Sequence, residues 1–99
     1  ALGNVRLSPE AAMLSCTNNG KSVRLAAKEY QLMELFLRNP HQLLPKENIL
    51  ERVWGFDNEA EYNNLPVYLT FLRRKLAFVG AHVEIRASRG LGYMLEETP

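Results

Sequence analysis

The N-terminal part of the chain alternates between apolar and polar residues in short runs, a pattern typical of β-strands. Residues 5–7 alternate, residues 12–16 are largely apolar, and residues 22–25 alternate again. A turn signal at residues 18–20, Asn-Asn-Gly, separates the last two runs, because Asn and Gly adopt the positive φ angles of tight turns. These runs predict an antiparallel meander of short strands.

Two segments that follow carry apolar residues at the spacing of an amphipathic helix. The first, residues 27–39, ends before Pro40, because the residue that precedes a proline avoids the α region. The second runs from about residue 45 to residue 54. Pro45 is acceptable at its first position, and Gly55 is a natural C-terminal stop.

A third helix is predicted from about Asn64 to Phe78. Asn64 can cap it, and Pro66 falls in the first turn, where a missing N–H costs little. Apolar residues recur along this helix at positions i, i+4, i+7 and i+11, so they must face the core. They are Leu65, Leu69, Leu72 and Leu76.

The C-terminal residues predict a β-hairpin, in which segments 83–87 and 93–96 enclose a turn at residues 88–92. Helix, loop, helix and hairpin is the element order of a winged helix-turn-helix. The sequence therefore predicts an α+β fold over residues 1–99 as a single domain. This is a winged helix-turn-helix with an N-terminal antiparallel sheet, three helices and a C-terminal β-hairpin wing.

The third helix also has a face opposite its leucines. An α-helix fits the major groove of B-DNA, where Asn and Arg read base edges and apolar groups touch thymine methyl groups. This face predicts base contacts from Asn63, Asn64, Val67, Thr70, Phe71 and Arg74. The flanking side chains can reach phosphates, and they are Tyr68, Arg73 and Lys75. The alternative for the same pattern is a solvated face of an ordinary helix.

The tip of the hairpin carries Arg89 beside Gly90 and Gly92. An arginine on a narrow turn can enter a minor groove or bind phosphates. Glycines at a tight hairpin also occur for structural reasons alone, so that interpretation stays open. The Gly-x-Gly pair is a poor match to a phosphate-cradling loop, because no strand-to-helix step follows it.

Charge is unevenly distributed, although the formal net charge is only +1. Between residues 47 and 65 the acidic residues outnumber Arg52, whereas between residues 66 and 93 the basic residues outnumber Glu84. The basic part coincides with the third helix and the hairpin, as expected for a nucleic-acid-binding face.

Composition excludes several other classes of protein. The chain has 99 residues, of which 46% are hydrophobic and 23% charged, as in an ordinary globular domain. No apolar run could span a membrane and no secretory leader is visible, so we expect a cytoplasmic protein. Cys16 predicts a buried free thiol, and His41 and His82 lack partners at metal-ligand spacing. No nucleophile with a base is visible, so we expect neither an enzyme nor a cofactor.

Four segments of the sequence form a characteristic series. They are Leu25-x-x-x-Glu29-Tyr30-x-Leu32-Met33-x-Leu35, Glu47-x-Ile49-Leu50-x-x-Val53-Trp54-Gly55, Val67-Tyr68-Leu69-x-Phe71-Leu72-Arg73-Arg74-Lys75-Leu76 and Ile85-Arg86-x-x-Arg89-Gly90-Leu91-Gly92-Tyr93. In this order and spacing, over nearly the whole chain, they resemble the C-terminal winged-helix effector domain of OmpR/PhoB-family response regulators. The Arg-Gly-x-Gly-Tyr hairpin and the Val-Trp-Gly helix end are the most specific features.

The resemblance implies sequence-specific binding of double-stranded DNA by the output domain of a two-component system, a phosphorelay that controls transcription. The third helix would be the recognition helix, Arg89 the wing arginine, and Trp54 a residue that touches the DNA backbone as well as packing. The full set of expected backbone and wing contacts is Lys46, Trp54, Tyr68, Arg73, Lys75 and Arg89.

In the family, a phosphorylated receiver domain precedes this domain and drives dimerisation on direct repeats. The resemblance therefore implies a direct-repeat operator, a receiver domain and a sensor kinase as partners. No receiver is present in this sequence, so we expect an excised effector domain that is a monomer by itself. RNA polymerase is a further implied partner, through an acidic loop for which a solvated connector is the alternative. That loop contains Phe56, Asp57, Glu59 and Glu61.

Several positions depart from the family pattern. Ala26 and Pro45 replace the usual caps of the first two helices, and a lost cap costs about 1 kcal/mol. Thr70 and Phe71 stand where many members carry basic residues, and Ala87 replaces a wing threonine that often binds a phosphate. These changes keep open two alternatives. One is a winged helix used for protein contacts only, and the other is the DNA-binding domain of a membrane-anchored regulator.

Overall fold

The computed structural model describes residues 3–55 and 65–98. Its elements are β1 (Val5–Ser8), β2 (Met13–Cys16), β3 (Ser22–Arg24), α1 (Ala27–Arg38), β4 (Leu44–Pro45), α2 (Lys46–Val53), α3 (Leu65–Phe78), β5 (Val83–Ser88) and β6 (Gly92–Glu97). Each helix and strand predicted above is present, with bounds within a residue of the prediction. Asn64, the predicted cap of α3, lies outside the described residues.

The first three strands form an antiparallel sheet in the order β1-β2-β3, which confirms the predicted meander. Val5 pairs with Cys16 and Leu14 pairs with Val23. The Cys16 side chain is buried as a free thiol, as predicted, and this burial raises its pKa. Gly20 has a φ of +71°, so the Asn-Asn-Gly signal does mark a turn that needs the left-handed region.

The three helices pack their apolar stripes into one core. Its helical members are Leu32, Met33 and Phe36 from α1, Ile49 and Val53 from α2, and Leu65, Leu69, Leu72 and Leu76 from α3. Leu69 and Leu72 are 0% exposed, and the other two leucines of α3 are at most 3% exposed. The predicted leucine stripe is confirmed, and it fixes which face of α3 points outward.

A second antiparallel sheet has the strand order β4-β6-β5 and contains the predicted C-terminal hairpin. The sequence analysis missed β4, because two residues that end in a proline carry no strand pattern. Leu44 and Pro45 pair with Tyr93 and Gly92 of β6. A side chain at position 92 would collide with the carbonyl oxygen of Leu44, so glycine is required there.

Asn4 connects the N-terminal sheet to the segment that joins α3 and β5. The residue is only 8% exposed. Its Nδ2 donates to Oδ1 of Asn18 at 2.8 Å and to the carbonyl oxygen of Gly80 at 3.2 Å, and its Oδ1 accepts from the backbone N–H of His82 at 2.7 Å. One buried amide therefore holds the C-terminal end of α3 against the first sheet.

The first two helices start without side-chain caps. Ala26 and Pro45 occupy the N-cap positions, as the family resemblance indicated. At α1 the loss is partly offset, because Oε1 of Glu29 accepts a hydrogen bond from the backbone N–H of Ala26 at 2.7 Å. This contact is one half of a capping box.

Candidate nucleic-acid interface

The outward face of α3 brings together four of the predicted base-contacting residues. Val67, Thr70, Phe71 and Arg74 lie at i, i+3, i+4 and i+7 of the helix, and all are exposed. Val67 and Phe71 expose 48% and 42% of their surfaces, high values for large apolar residues. The remaining two predicted base contacts, Asn63 and Asn64, lie outside the described residues.

Thr70 differs from the other residues of this face, because its polar group is already engaged. Its Oγ1 donates to the carbonyl oxygen of Pro66, one helical turn earlier, at 2.9 Å. Such back-bonding is common for threonine within a helix. A threonine hydroxyl has only one donor, so that donor is directed to the helix backbone.

Three consecutive basic residues in α3 have different surroundings. Nε and Nη2 of Arg73 donate to the carbonyl oxygen of Ile85 at 3.2 and 3.0 Å, which ties α3 to β5. Nζ of Lys75 donates to Oε1 of Glu29 at 2.6 Å and to the carbonyl oxygen of Arg24 at 3.0 Å. Arg74 makes no such contact with the part of the chain that the structure describes.

Lys75, for which the sequence predicts a phosphate contact, is paired with a carboxylate inside the molecule. The Glu29 side chain is only 5% exposed, and Lys75 supplies its neutralising charge. A buried carboxylate needs a paired cation, so this lysine serves the packing of α3 on α1. The sequence contained no sign of this pairing, because Glu29 and Lys75 lie in different helices with no shared pattern.

Trp54 and Tyr68 form an aromatic pair beside the outward face. Their ring centroids are 5.2 Å apart and the planes are tilted by 58°. Trp54 is 9% exposed, so its predicted packing role is confirmed, while its contact with DNA stays a prediction. Tyr68 is half-buried.

Lys28 is a neighbour of Trp54 that the sequence analysis missed. Its Nζ lies 5.7 Å from the centre of the Trp54 ring and donates to the carbonyl oxygen of Val53 at 2.9 Å. It therefore satisfies a terminal carbonyl of α2 and adds positive charge there. Nothing in the sequence pattern relates Lys28 to α2, so only the tertiary structure shows it.

The wing ends in a tight turn of Ser88 to Leu91. The backbone N–H of Leu91 donates to the carbonyl oxygen of Ser88 at 2.9 Å, and Gly90 has a φ of +76°. A positive φ at the third position is that of a type II turn. Arg89 is exposed at this tip, and Leu91 exposes 62% of its surface.

One of the two arginines of the wing is neutralised by an ion pair. Nη1 of Arg86 pairs with Oε2 of Glu96 at 3.1 Å, which leaves Arg89 as the wing cation without an ion pair among the described residues.

Lys46 is the first residue of α2 and is half-buried. The predicted polymerase-contact loop lies outside the described residues, and it contains Phe56, Asp57, Glu59 and Glu61.

Other kinds of site have little support in the part of the chain that the structure covers. Residues 3–55 and 65–98 contain no cluster of three or more His, Cys, Asp and Glu side chains that could hold a metal ion. Within the same ranges, no helix has the length and apolar character needed to cross a membrane.

Comparison with known proteins identifies the family. Residues 20–95 match the family described as "Transcriptional regulatory protein, C terminal". The chain therefore belongs to this family, the OmpR/PhoB-type effector domains, as the resemblance indicated.

A curated relative and two solved structures are similar over nearly the whole chain. The transcriptional regulatory protein DltR of Streptococcus agalactiae is 45% identical over 96 residues, which are 97% of this chain and 42% of DltR. The C-terminal domain of NsrR, a lantibiotic response regulator, superposes with a TM-score of 0.81 at 32% identity, over 100% of this chain and 98% of that domain. The DNA-binding domain of Bacillus subtilis CssR gives a TM-score of 0.78 at 26% identity, over 92% of this chain and 98% of that one. The predicted winged-helix fold is confirmed, and the chain spans less than half the length of DltR.

Proposed function

We propose that this chain binds double-stranded DNA in a sequence-specific manner, as the output domain of a two-component response regulator that controls transcription. The observation that carries the proposal is the outward face of α3. It exposes Val67, Thr70, Phe71 and Arg74 in one row, while the leucines opposite are fully packed.

The shape and charge of this region suit a duplex. The α3 helix has 14 residues and no acidic side chain, so nothing on it repels phosphates. An α-helix fits the major groove, and the Arg74 guanidinium can donate two hydrogen bonds to a guanine. The wing then brings Arg89 toward the adjacent phosphates or minor groove.

Backbone contacts would come from residues around the reading face. Lys46, Arg73 and Arg89 carry charge without a fixed base-reading geometry, and Trp54 and Tyr68 form an amphipathic pair beside them. Such contacts position a protein on the duplex and supply affinity that depends on salt rather than on sequence. Lys75 should contribute less than Arg73, because the charge of Lys75 is paired with Glu29, whereas Arg73 is exposed and hydrogen-bonds a neutral backbone carbonyl.

The relatives support the regulatory context. DltR is named as a transcriptional regulatory protein, NsrR as a response regulator and the CssR fragment as a DNA-binding domain. We extend these roles to this chain, with a receiver domain, a sensor kinase and a direct-repeat operator as partners, and with no catalytic activity of its own. We therefore also propose a cytoplasmic location, since bacterial DNA lies in the cytoplasm.

Selection from a random duplex library, using the purified 99-residue chain, tests the proposal. We expect enrichment of one short site, bound more tightly than scrambled duplex. Arg74→Met should lose preference at one base pair by about 1–3 kcal/mol. Arg38→Met is the matched control, since Arg38 is an exposed arginine of α1 that pairs only with Glu34 among the described residues.

The Arg38→Met control separates base-specific recognition from nonspecific electrostatic attraction to DNA. If both variants lost affinity equally for all sequences, binding would be due to net charge and the recognition role of α3 would be wrong. If the unchanged chain bound no duplex at low salt, the proposed function itself would be wrong.

A further inference from the structure

The outward face of α3 is unusually apolar for a surface proposed to read DNA. Val67 and Phe71 are two of the few large apolar residues that the described chain leaves exposed, and they are neighbours on one helical turn. Together they give this helical turn a small apolar surface that a ligand of the helix would contact. This part of the face cannot hydrogen-bond to base edges, so it must recognise something else.

Thr70 extends the apolar surface rather than interrupting it. Its hydroxyl proton is donated to the carbonyl oxygen of Pro66, at 2.9 Å. The hydroxyl then keeps only its acceptor capacity, and the γ-methyl group is the apolar part of the side chain that remains for a ligand. Val67, Thr70 and Phe71 together form what we call the methyl-reading triad.

We propose that the methyl-reading triad recognises the C5-methyl groups of thymines in the major groove, so that the preferred site contains adjacent A·T pairs. This inference rests on the proposed function. Among the four bases only thymine presents a methyl group in that groove. From Val67 to Phe71 the helix rises about 6 Å, close to two base-pair steps, so the triad can cover two or three neighbouring pairs.

The charge of α3 favours a duplex over an apolar protein partner. Arg73, Arg74 and Lys75 are its charged residues, and all of them are basic. Arg73 and Lys75 are held by Ile85 and Glu29, which leaves Arg74 as the cation available on this face among the described residues. Arg74 lies one turn beyond the triad, so a guanine should border the thymines on one side.

Deoxyuridine tests the inference without changing the protein, because uracil differs from thymine only by the missing methyl group. Each thymine of the selected duplex is replaced by deoxyuridine in turn, and the dissociation constant of the 99-residue chain is measured. We expect about a fourfold loss of affinity for each contacted methyl group, at two or three adjacent positions, and no loss elsewhere.

Two variants of Thr70 separate its methyl group from its hydroxyl. Thr70→Val keeps a methyl group and removes the donor, so it should keep the thymine-to-deoxyuridine ratio of the unchanged chain. Thr70→Ser keeps the donor and removes the methyl group, so the ratio at one position should fall toward one. Circular dichroism of both variants verifies that the helices are formed.

The outcomes distinguish this inference from the function on which it rests. Specific binding that no deoxyuridine substitution weakens would overturn thymine reading and leave the proposed function intact. A thymine-to-deoxyuridine ratio that Thr70→Ser keeps and Thr70→Val loses would overturn the role assigned to Thr70. Failure to bind any duplex would overturn both the inference and the function.

Discussion

The two ends of α3 serve different purposes. Its C-terminal half is fastened to the rest of the molecule, through Lys75 to Glu29 and Arg73 to Ile85, and the segment after it is held by Asn4. Its first turns expose Val67 and Phe71, which have no comparable polar anchors. The helix is thus held from behind and from one end, while its exposed face stays available for a ligand.

The comparison also shows that adjacent charges in a sequence are not equivalent. Arg73, Arg74 and Lys75 are consecutive, and successive residues on a helix point about 100° apart. Two of them therefore reach protein groups, at Ile85 and Glu29, whereas Arg74 makes no such contact among the described residues. Substitutions on the two faces of α3 and at its anchors test this division.

Leu72→Ala should lower the free energy of unfolding by about 3 kcal/mol, because it opens a cavity in the core behind α3. Val67→Ala, on the outward face, should change it by less than about 0.5 kcal/mol. Denaturation in urea, followed by circular dichroism, measures both. Equal losses for the two variants would mean that the inner and outer faces are not distinct.

Lys75→Met should cost about 2 kcal/mol of stability, since it leaves the buried Glu29 carboxylate without its cation. We expect less than the full cost of a broken buried pair, because the Lys75 side chain is 28% exposed. Arg74→Met is the matched control and should leave stability unchanged. If Lys75→Met instead left stability intact and weakened duplex binding, the result would support the phosphate contact predicted from the sequence.

Asn4→Ala should cost about 1.5 kcal/mol, because it removes the partners of two backbone groups near the end of α3. Hydrogen exchange gives a local readout, and the backbone amide of His82 should exchange faster than in the unchanged chain. Asn48→Ala, at an exposed position of α2, is the control. An unchanged His82 exchange rate would show that Asn4 does not hold this segment.

Arg89→Ala should weaken binding to all duplexes alike, and should flatten the dependence of log K on log salt by about one unit. Arg86→Ala should have a smaller effect, because Arg86 is already paired with Glu96. Duplex-binding titrations of both variants at several salt concentrations measure the two effects. A salt slope that Arg89→Ala leaves unchanged would remove Arg89 from the DNA surface.

Much of the fold could be predicted from the sequence, because periodicity is a local property. The leucine spacing of α3 and the Asn-Asn-Gly turn each depend on a few neighbouring residues, and both are confirmed. The short strand β4 could not be predicted, since Leu44 and Pro45 become a strand only by pairing with β6.

The candidate site likewise has features that follow from local periodicity and features that depend on tertiary contacts. The residues that α3 exposes follow from its leucine stripe, so the row of Val67, Thr70, Phe71 and Arg74 was predictable. The positions of Lys28 and Lys75 were not, because their partners lie in other elements. The same holds for the Thr70 hydroxyl, which could have faced either the backbone or a base.

The two glycines of the wing have different consequences for exchanging wings between related domains. Gly90 adopts a left-handed φ but has open space around it, so another residue there would be strained without a clash. At Gly92 the nearest atoms belong to the backbone of Leu44 and Pro45, which cannot rotate away. A transplanted hairpin can therefore replace Gly90 at a cost in backbone strain, whereas it must keep a glycine where β6 pairs with β4.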